Sequence, residues 1–366
     1  MLRIGVIGLG YWGPNLVRAF DGLADARVTR VCDTDAHRLA QTCARFPVTG
    51  TDDPLELMDS GDVDAVVVAT PTRTHHALAL AALDRGLHVF VEKPLAASTA
   101  ECEELIARAD ARGVVLFTGH IFLYTAAVRK LAEMMAAEEL GKVAFITAAR
   151  RNLGPVRGDV NALWDLAPHD ISIILHLLGG LPASVNCQGL DHLRPGLHDV
   201  CLLTMHFAGG VMAVVHSSWL DPSKVRQMTI VGSRQMAVYD DIEPLEKIRL
   251  YDRGVDVPPY HTDFGEFALS YRYGDTRSPY LVEEEPLKAE ARTFVECALR
   301  GGASRSDGRA GLDVVRILEA ADRSLADGGG RVWLTPRAAV AVPAPLPGQI
   351  AVPAIVEPGR LSAVGA

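Results

Sequence analysis

The sequence predicts an α/β chain in two parts: a parallel sheet wound with helices, followed by an α+β domain built on a largely antiparallel sheet. Three observations carry this. Over residues 2–122 short β-rich runs alternate with helical patterns, and glycines and polar residues fall where those runs end. Beyond residue 139 the runs lengthen and are joined by tight glycine turns. The alternation means βαβ units and a parallel sheet, whereas runs separated by two turn residues mean antiparallel hairpins.

The first strands are read at residues 3–7, 28–32, 65–70, 88–91 and 114–118, with amphipathic stretches between them. Gly8 with Gly10, Asp33, Thr70 with Pro71, and Glu92 with Lys93 all sit at or just past strand ends, the edge at which open α/β sheets hold ligands. A helix is read at 126–139, then hairpins at 200–208 with 211–219 and at 228–231 with 235–239, turning at Gly209-Gly210 and Gly232-Ser233. A helix at 163–178 stops at Gly179-Gly180, and two more follow at 285–299 and 311–326. The division expected is 1–124 for the first domain, 125–336 for the second, and an extended Ala/Val/Pro/Gly-rich tail at 337–366.

Composition removes several classes of function. Lys and Arg number 36 against 45 Asp and Glu, a net charge of −9, which argues against nucleic acid as a partner. With 49% hydrophobic and 22% charged residues the chain supports a large packed core. The longest apolar runs, 65–69 and 171–178, fall well short of the ~20 residues of a membrane span, so no membrane helix is expected. The N-terminus enters an apolar-glycine pattern by Ile4 without a basic leader, which points to the cytoplasm. Six cysteines stand apart without C-x-x-C or zinc-finger spacing, and read as small core hydrophobes.

Gly8-Leu9-Gly10-Tyr11-Trp12-Gly13 is a G-x-G-x-x-G between a β-run and a helical run, with Asp33 20 residues beyond Gly13 at the end of the second strand. This is the arrangement of a Rossmann dinucleotide site. Gly8 permits the turn, Gly10 lets backbone approach a pyrophosphate, Gly13 lets helix pack on strand, and the helix N-terminus offers N–H groups to the anion. Asp33 would bond ribose hydroxyls and repel a 2′-phosphate, so NAD is expected in preference to NADP, with Arg38 nearby as a counter-indication.

Glu92-Lys93-Pro94 closes the strand 88–91, which aims Lys93 at the cleft; the alternative is a surface ion pair before a turn proline. In Trp164-Asp165-Leu166-Ala167-Pro168-His169-Asp170, Asp165 and His169 are four apart on a helix. Pro168 suits a helix start rather than an interior, which would put His169 near the positive end of the helix dipole, neutral and fit for a general base. The alternative is a capping or packing histidine, with Asp165 or Asp170 as N-cap.

Together with Ala69-Thr70-Pro71, His75 and Gly119-His120, these motifs resemble the Gfo/Idh/MocA (glucose–fructose oxidoreductase, inositol dehydrogenase) family over residues 2 to about 335. The resemblance implies a Rossmann domain followed by an α+β domain with a large, mostly antiparallel open sheet, and a homodimer or homotetramer formed through that sheet. It implies catalytic roles for Lys93, Asp165 and His169 and a Lys-Pro peptide that is often cis. The stretches 119–124, 161–170 and 218–226 resemble the branch acting on nucleotide-linked sugars, such as UDP-N-acetylglucosamine and uronate 3-dehydrogenases.

The cofactor-binding residues expected are Gly8, Gly10, Tyr11, Trp12, Gly13, Asp33, Arg38, Thr70, Pro71, Thr72, His75, Glu92 and Lys93. Those expected at the substrate are Lys93, Tyr124, Arg151, Arg157, Asp159, Asn161, Trp164, His169 and Lys224. Arg150, Arg151, Asn152, Arg157, Asp159, Asn161, Lys224 and Arg226 gather cationic and polar groups near the two motifs, suiting a diphosphate or carboxylate, or else a solvated face or subunit contact. Trp164 and Trp219 are either a sugar-stacking surface or core. His75 and His120 lack ligand-spaced partners, so no metal is expected.

The reaction expected is NAD-dependent hydride transfer at a ring secondary alcohol of a sugar, at C3 of a nucleotide-linked sugar. His169 would be base, Lys93 would hydrogen-bond the reacting oxygen, and Asp165 would orient either partner; Lys93 could itself be the base. The alternatives are a cyclitol or free-sugar dehydrogenase and a non-catalytic NAD-binding protein.

Overall fold

The computed structural model describes residues 1–256 and 270–335; the tail read at 337–366 lies outside them. The first part runs β1 (Leu2–Ile7), α1 (Gly13–Asp21), β2 (Ala26–Cys32), α2 (Ala36–Arg45), β3 (Thr49–Thr51), α3 (Pro54–Asp59), β4 (Ala65–Val68), α4 (His75–Asp84), β5 (His88–Glu92), α5 (Thr99–Arg112) and β6 (Leu116–Gly119). These strands form a parallel six-stranded sheet in the order β3-β2-β1-β4-β5-β6. The order reverses between β1 and β4, and the crevice at the C-terminal ends of those two strands is where such sheets bind dinucleotides.

The sequence explains the layering. All four residues of β4, Ala65 to Val68, are buried, as strands covered on both faces require. Helix starts are fixed by side chains that accept backbone N–H bonds: Asp35 for α2, Asp53 for α3 and Ser98 for α5, the last ending at left-handed Gly113.

The second part runs α6 (Ala126–Ala136), β7 (Val143–Arg151), α7 (Ala162–Leu178), β8 (Ser184–Leu190), β9 (Val200–His206), β10 (Met212–Ser218), β11 (Val225–Gly232), β12 (Met236–Asp240), β13 (Ile248–Asp256), β14 (Ser270–Arg277), α8 (Pro286–Arg300), α9 (Gly308–Ala326) and β15 (Val332–Trp333). Its nine strands are ordered β14-β13-β12-β11-β7-β10-β9-β8-β15, and every pair is antiparallel except β7 with β10. The hairpins expected at Gly209-Gly210 and Gly232-Ser233 are β9–β10 and β11–β12. Burial alternates along β9 to β12: Cys201, Leu203, Met205, Ala213, Val215, Met228, Ile230 and Ala237 are buried, while their neighbours are part-exposed or exposed. One face is therefore packed, by α7 and α9, and the other is open.

The last two helices return to the first sheet. Phe294 of α8 stands edge-on to Phe20, Phe90 and Phe117 at ring separations of 5.9, 5.7 and 5.7 Å. α9 packs on α5, and Thr118 donates its backbone N–H to Ser306 O at 2.7 Å. No helix among the described residues is long and apolar enough to cross a membrane.

One expectation changes. α7 begins at Ala162, where the Asn161 side chain accepts the Trp164 N–H at 3.0 Å, so the cap is neither Asp165 nor Asp170 and Pro168 lies inside the helix. Asp165 is in the first turn, but His169 is a full turn beyond it, where the dipole field has faded. The turn interrupted by Pro168 is the one whose Asp165 carbonyl accepts from Lys93.

Candidate active site

The cleft lies where the first sheet's order reverses. It encloses about 860 Å³ and is walled by Gly8, Gly10, Tyr11 and Trp12 from the β1–α1 loop, by Asp33, Thr34 and Arg38 after β2, by Thr70 to Thr74 after β4, and by Glu92 and Lys93 at the end of β5. Arg157 and Asp165 close it from the second part.

The glycine loop fits a dinucleotide. Gly8 has φ +94°, and a Cβ there would stand 2.6 Å from Ala69 O. At Gly13 a Cβ would meet Gly8 O at 2.1 Å, so the helix can approach the strand only without a side chain. At Gly10 the space is open, with nothing nearer than Arg38 Nη1 at 4.0 Å, and backbone faces the cleft. Asp33 is pinned by N–H donors, Leu9 to Oδ2 at 2.6 Å and Asp35 to Oδ1 at 2.8 Å, which sets its carboxylate at the end of β2. Arg38 is turned toward Asp35, its Nε 3.4 Å from Oδ2. Gly13→Ala is therefore expected to abolish NAD binding at concentrations that saturate the wild type, as read by fluorescence titration. Wild-type affinity in that variant would show that the loop does not carry the cofactor.

His75 departs from its expected role. It is buried and its ring lies between two backbone carbonyls, Nδ1 2.8 Å from Pro94 O and Nε2 2.8 Å from Thr70 O. It ties the turn after β4 to the turn after β5 and does not face the cleft.

Lys93 follows β5, and the Lys93-Pro94 peptide is cis. Half-buried, its Nζ donates to Asp165 O at 2.9 Å. Burial lowers its pKa against the pull of Asp165 and Glu92, and Arg157 and Arg150 lower it further. Burial pushes the Glu92 carboxyl up to about 7, opposed by Lys93. Asp165 Oδ2 accepts Trp219 Nε1–H at 3.0 Å, and Oδ1 lies 3.4 Å from Arg157 Nη1. Its carboxylate is thus held by Trp219 and Arg157, not directed at His169. Trp219 is buried, so it is an anchor for Asp165 and not a stacking surface.

His169 packs against the Phe122 ring, centroids 4.8 Å apart. Burial holds its pKa well below the ordinary value, and the cations Lys93 and Arg150 reinforce that, so at neutral pH the ring is uncharged. The neutrality expected from the helix dipole is present, with a different cause.

Other substrate expectations are redirected. Tyr124 is buried against Phe117, its hydroxyl 3.3 Å from Ser304 Oγ, because it ends the short helical turn that packs into the core. Asn161 Nδ2 and Trp164 Nε1 both donate to Asp322 of α9, at 3.2 and 2.6 Å. Arg151 is paired with Asp221 at 2.8 Å, Arg226 with Asp241 at 3.4 Å, and Arg157 with Asp159 at 2.6 Å. Lys224 is exposed in the loop between β10 and β11. Of the expected substrate residues, Lys93 and Arg157 line the cleft, His169 lies one turn beyond Asp165, and Asp159 touches the cleft through Arg157.

Sequence reasoning passed over Trp219 as the partner of Asp165, Asp322 as the anchor of the α7 start, and Arg150 with Asp170. Arg150 Nε and Nη2 bond Asp170 Oδ2 and Oδ1 at 2.8 and 3.0 Å, both side chains buried. A lone aspartate at the head of the apolar run 171–178 was the available signal.

The chain's similarities agree with this geometry. Residues 2–120 match the oxidoreductase family with an NAD-binding Rossmann fold, GFO_IDH_MocA, and residues 128–238 match the GFO/IDH/MocA C-terminal domain. The chain is 27% identical over 323 residues to UDP-N-acetylglucosamine 3-dehydrogenase of Acidithiobacillus ferrooxidans, covering 87% of this chain and 95% of that protein. It is 34% identical over 229 residues to inositol 2-dehydrogenase 2 of Paenarthrobacter aurescens, 58% of this chain and 68% of that one. The solved structure of GenD2 from gentamicin A biosynthesis in complex with NAD superposes with a TM-score of 0.76 at 26% identity, over 91% of this chain and 96% of that one. With its glycine loop, pinned Asp33 and cleft lysine in place, the chain belongs to the Gfo/Idh/MocA family of NAD-binding oxidoreductases.

Proposed function

We propose that the protein oxidises, reversibly, a ring secondary alcohol of a sugar with NAD, acting at C3 of a nucleotide-linked sugar. The observation that carries the chemistry is the half-buried Lys93 Nζ at the junction of the cofactor cleft with α7, 2.9 Å from Asp165 O. NAD, when bound, accepts the hydride. Lys93 donates a hydrogen bond to the reacting oxygen and steadies the negative charge that grows on it. His169, neutral at working pH, takes the hydroxyl proton, and Asp165, braced by Trp219 and Arg157, orients the sugar hydroxyl. Asp33 at the ribose end favours NAD over NADP.

The nucleotide-linked substrate is supported by the likeness to UDP-N-acetylglucosamine 3-dehydrogenase over 95% of that protein. A second reading, a cyclitol or free-sugar dehydrogenase, is favoured by one observation: Arg150, Arg151, Arg157 and Arg226 are each already paired with a carboxylate, which offsets the charge they would offer a diphosphate. The inositol 2-dehydrogenase likeness at 34% identity points the same way. We place the enzyme in the cytoplasm, where its six free thiols suit a reducing compartment. Its homodimer or homotetramer would form across the open face of the nine-stranded sheet, and a division at 1–124 and 125–336 separates cofactor and substrate parts.

The deciding assay follows absorbance at 340 nm with NAD and with NADP across UDP- and dTDP-sugars, myo-inositol, scyllo-inositol and free hexoses. NADH formation with a nucleotide sugar alone is the expected result. Activity with only a cyclitol or free sugar selects the second reading, and equal rates with NADP would remove the argument from Asp33.

A further inference from the structure

A general base must be held at a fixed angle to the proton it takes. A histidine base is usually oriented by a hydrogen bond on the nitrogen that does not react. His169 has no such bond: Nδ1 is buried and finds no hydrogen-bond partner among the described residues, and the Asp165 carboxylate one turn earlier is held by Trp219 and Arg157. What the ring does have is an aromatic edge contact with Phe122, centroids 4.8 Å apart and planes at 64°. Phe122 is covered in turn by the Arg150 guanidinium, its Cζ 4.4 Å from the ring centroid. Arg150 is fixed by the two-pronged bond to Asp170, the residue after His169 on α7. The four side chains close a loop that starts and ends on one helix.

We infer that Phe122 and Arg150 are positioning residues for His169: Asp170 holds Arg150, Arg150 holds the Phe122 ring, and that ring sets the plane of the imidazole. The inference rests on His169 being the base. A planar guanidinium is what the loop needs, since a lysine ammonium makes neither the two-pronged bond nor the flat stack. Arg150 also acts on His169 as a fixed cation. The charged and titratable groups around His169 are Lys93 after β5, Arg150 on β7, His120 before the Phe122 turn, Arg226 on β11, and Asp165 and Asp170 on its own helix. Arg150 is faced by Asp170, Tyr239 and Asp241. Each cation opposes protonation of His169, and the Asp170 carboxylate bonded to Arg150 acts against that cation.

The test uses Phe122→Leu, Phe122→Tyr, the paired Arg150→Met/Asp170→Leu, and His169→Asn. Phe122→Leu is expected to lower kcat about tenfold with KM and NAD affinity within about twofold, since a displaced base costs the chemical step. Phe122→Tyr restores kcat. NMR of the imidazole CH signals, with the His169 resonance assigned by its loss in His169→Asn, gives a readout that needs no substrate. The Phe122 ring current displaces that signal; the displacement disappears in the Leu variant and returns in the Tyr variant, and it changes in the paired variant, which takes the guanidinium off the Phe122 ring. Wild-type kcat with an unmoved resonance in Phe122→Leu, or a Tyr variant as slow as the Leu one, overturns the inference. Wild-type turnover in His169→Asn overturns instead the assignment of the base, whatever Phe122 does.

Discussion

Lys93→Met is expected to lower kcat by about 10²–10⁴-fold while NAD affinity stays within a few-fold of wild type. The side chain is the cation at the meeting point of the cleft and α7, and methionine keeps its apolar length while removing the donor that would face the reacting oxygen. The fold should tolerate the change, because a half-buried charge near Arg157 and Arg150 is lost and not gained. Stopped-flow hydride transfer and a separate NAD titration separate the two effects. A variant that turns over at the wild-type rate would remove Lys93 from the chemistry. One further consequence is measurable: Glu92, pushed up to about 7 by burial and held down by Lys93, goes higher still when the lysine is absent.

Asp170→Ala is expected to destabilise the protein by about 3–5 kcal/mol, because it strands the buried Arg150 cation without a partner. Denaturant titration of the whole protein checks this. Replacing both members by Met and Leu removes the stranded charge along with the pair, and should cost far less than the single change. A single variant as stable as wild type would mean that Arg150 finds another counter-charge, and Asp241 is the carboxylate near enough to supply it.

The parallel sheet and its ligand edge were legible because the apolar runs of the strands end on the residues that carry the chemistry. Gly8, Asp33, Thr70 and Lys93 needed only the rule that such sheets bind at strand ends. β3 was not legible: Thr49-Gly50-Thr51 has neither length nor apolar alternation, and it is a strand only because β2 offers an edge. The start of α7 misled for a local reason. Proline is commonest in a first turn, but Asn161 caps the helix seven residues before Pro168, and packing of the apolar helix carries the chain through the break. Of the candidate substrate residues, Asn161, Trp164 and Arg151 were read by type and proximity. What redirects them is Asp322 and Asp221, carboxylates distant in sequence that no local spacing announces. His75 was expected at the cofactor, but it opens α4 and its ring turns inward to lie between two carbonyls, and no pattern of neighbours reveals that.

The return of α8 and α9 to the first sheet bears on how the protein is made. During synthesis the strands β1 to β6 leave the ribosome long before Phe294 and Ser306 exist, so the Phe20–Phe90–Phe117 cluster stays uncovered and β6 lacks its edge contact while roughly half of the chain, from β6 to α8, is translated. The nucleotide-binding part therefore cannot complete its core as the nascent chain's first finished unit. It must wait in a partly open state, shielded from other nascent chains, until the last helices arrive.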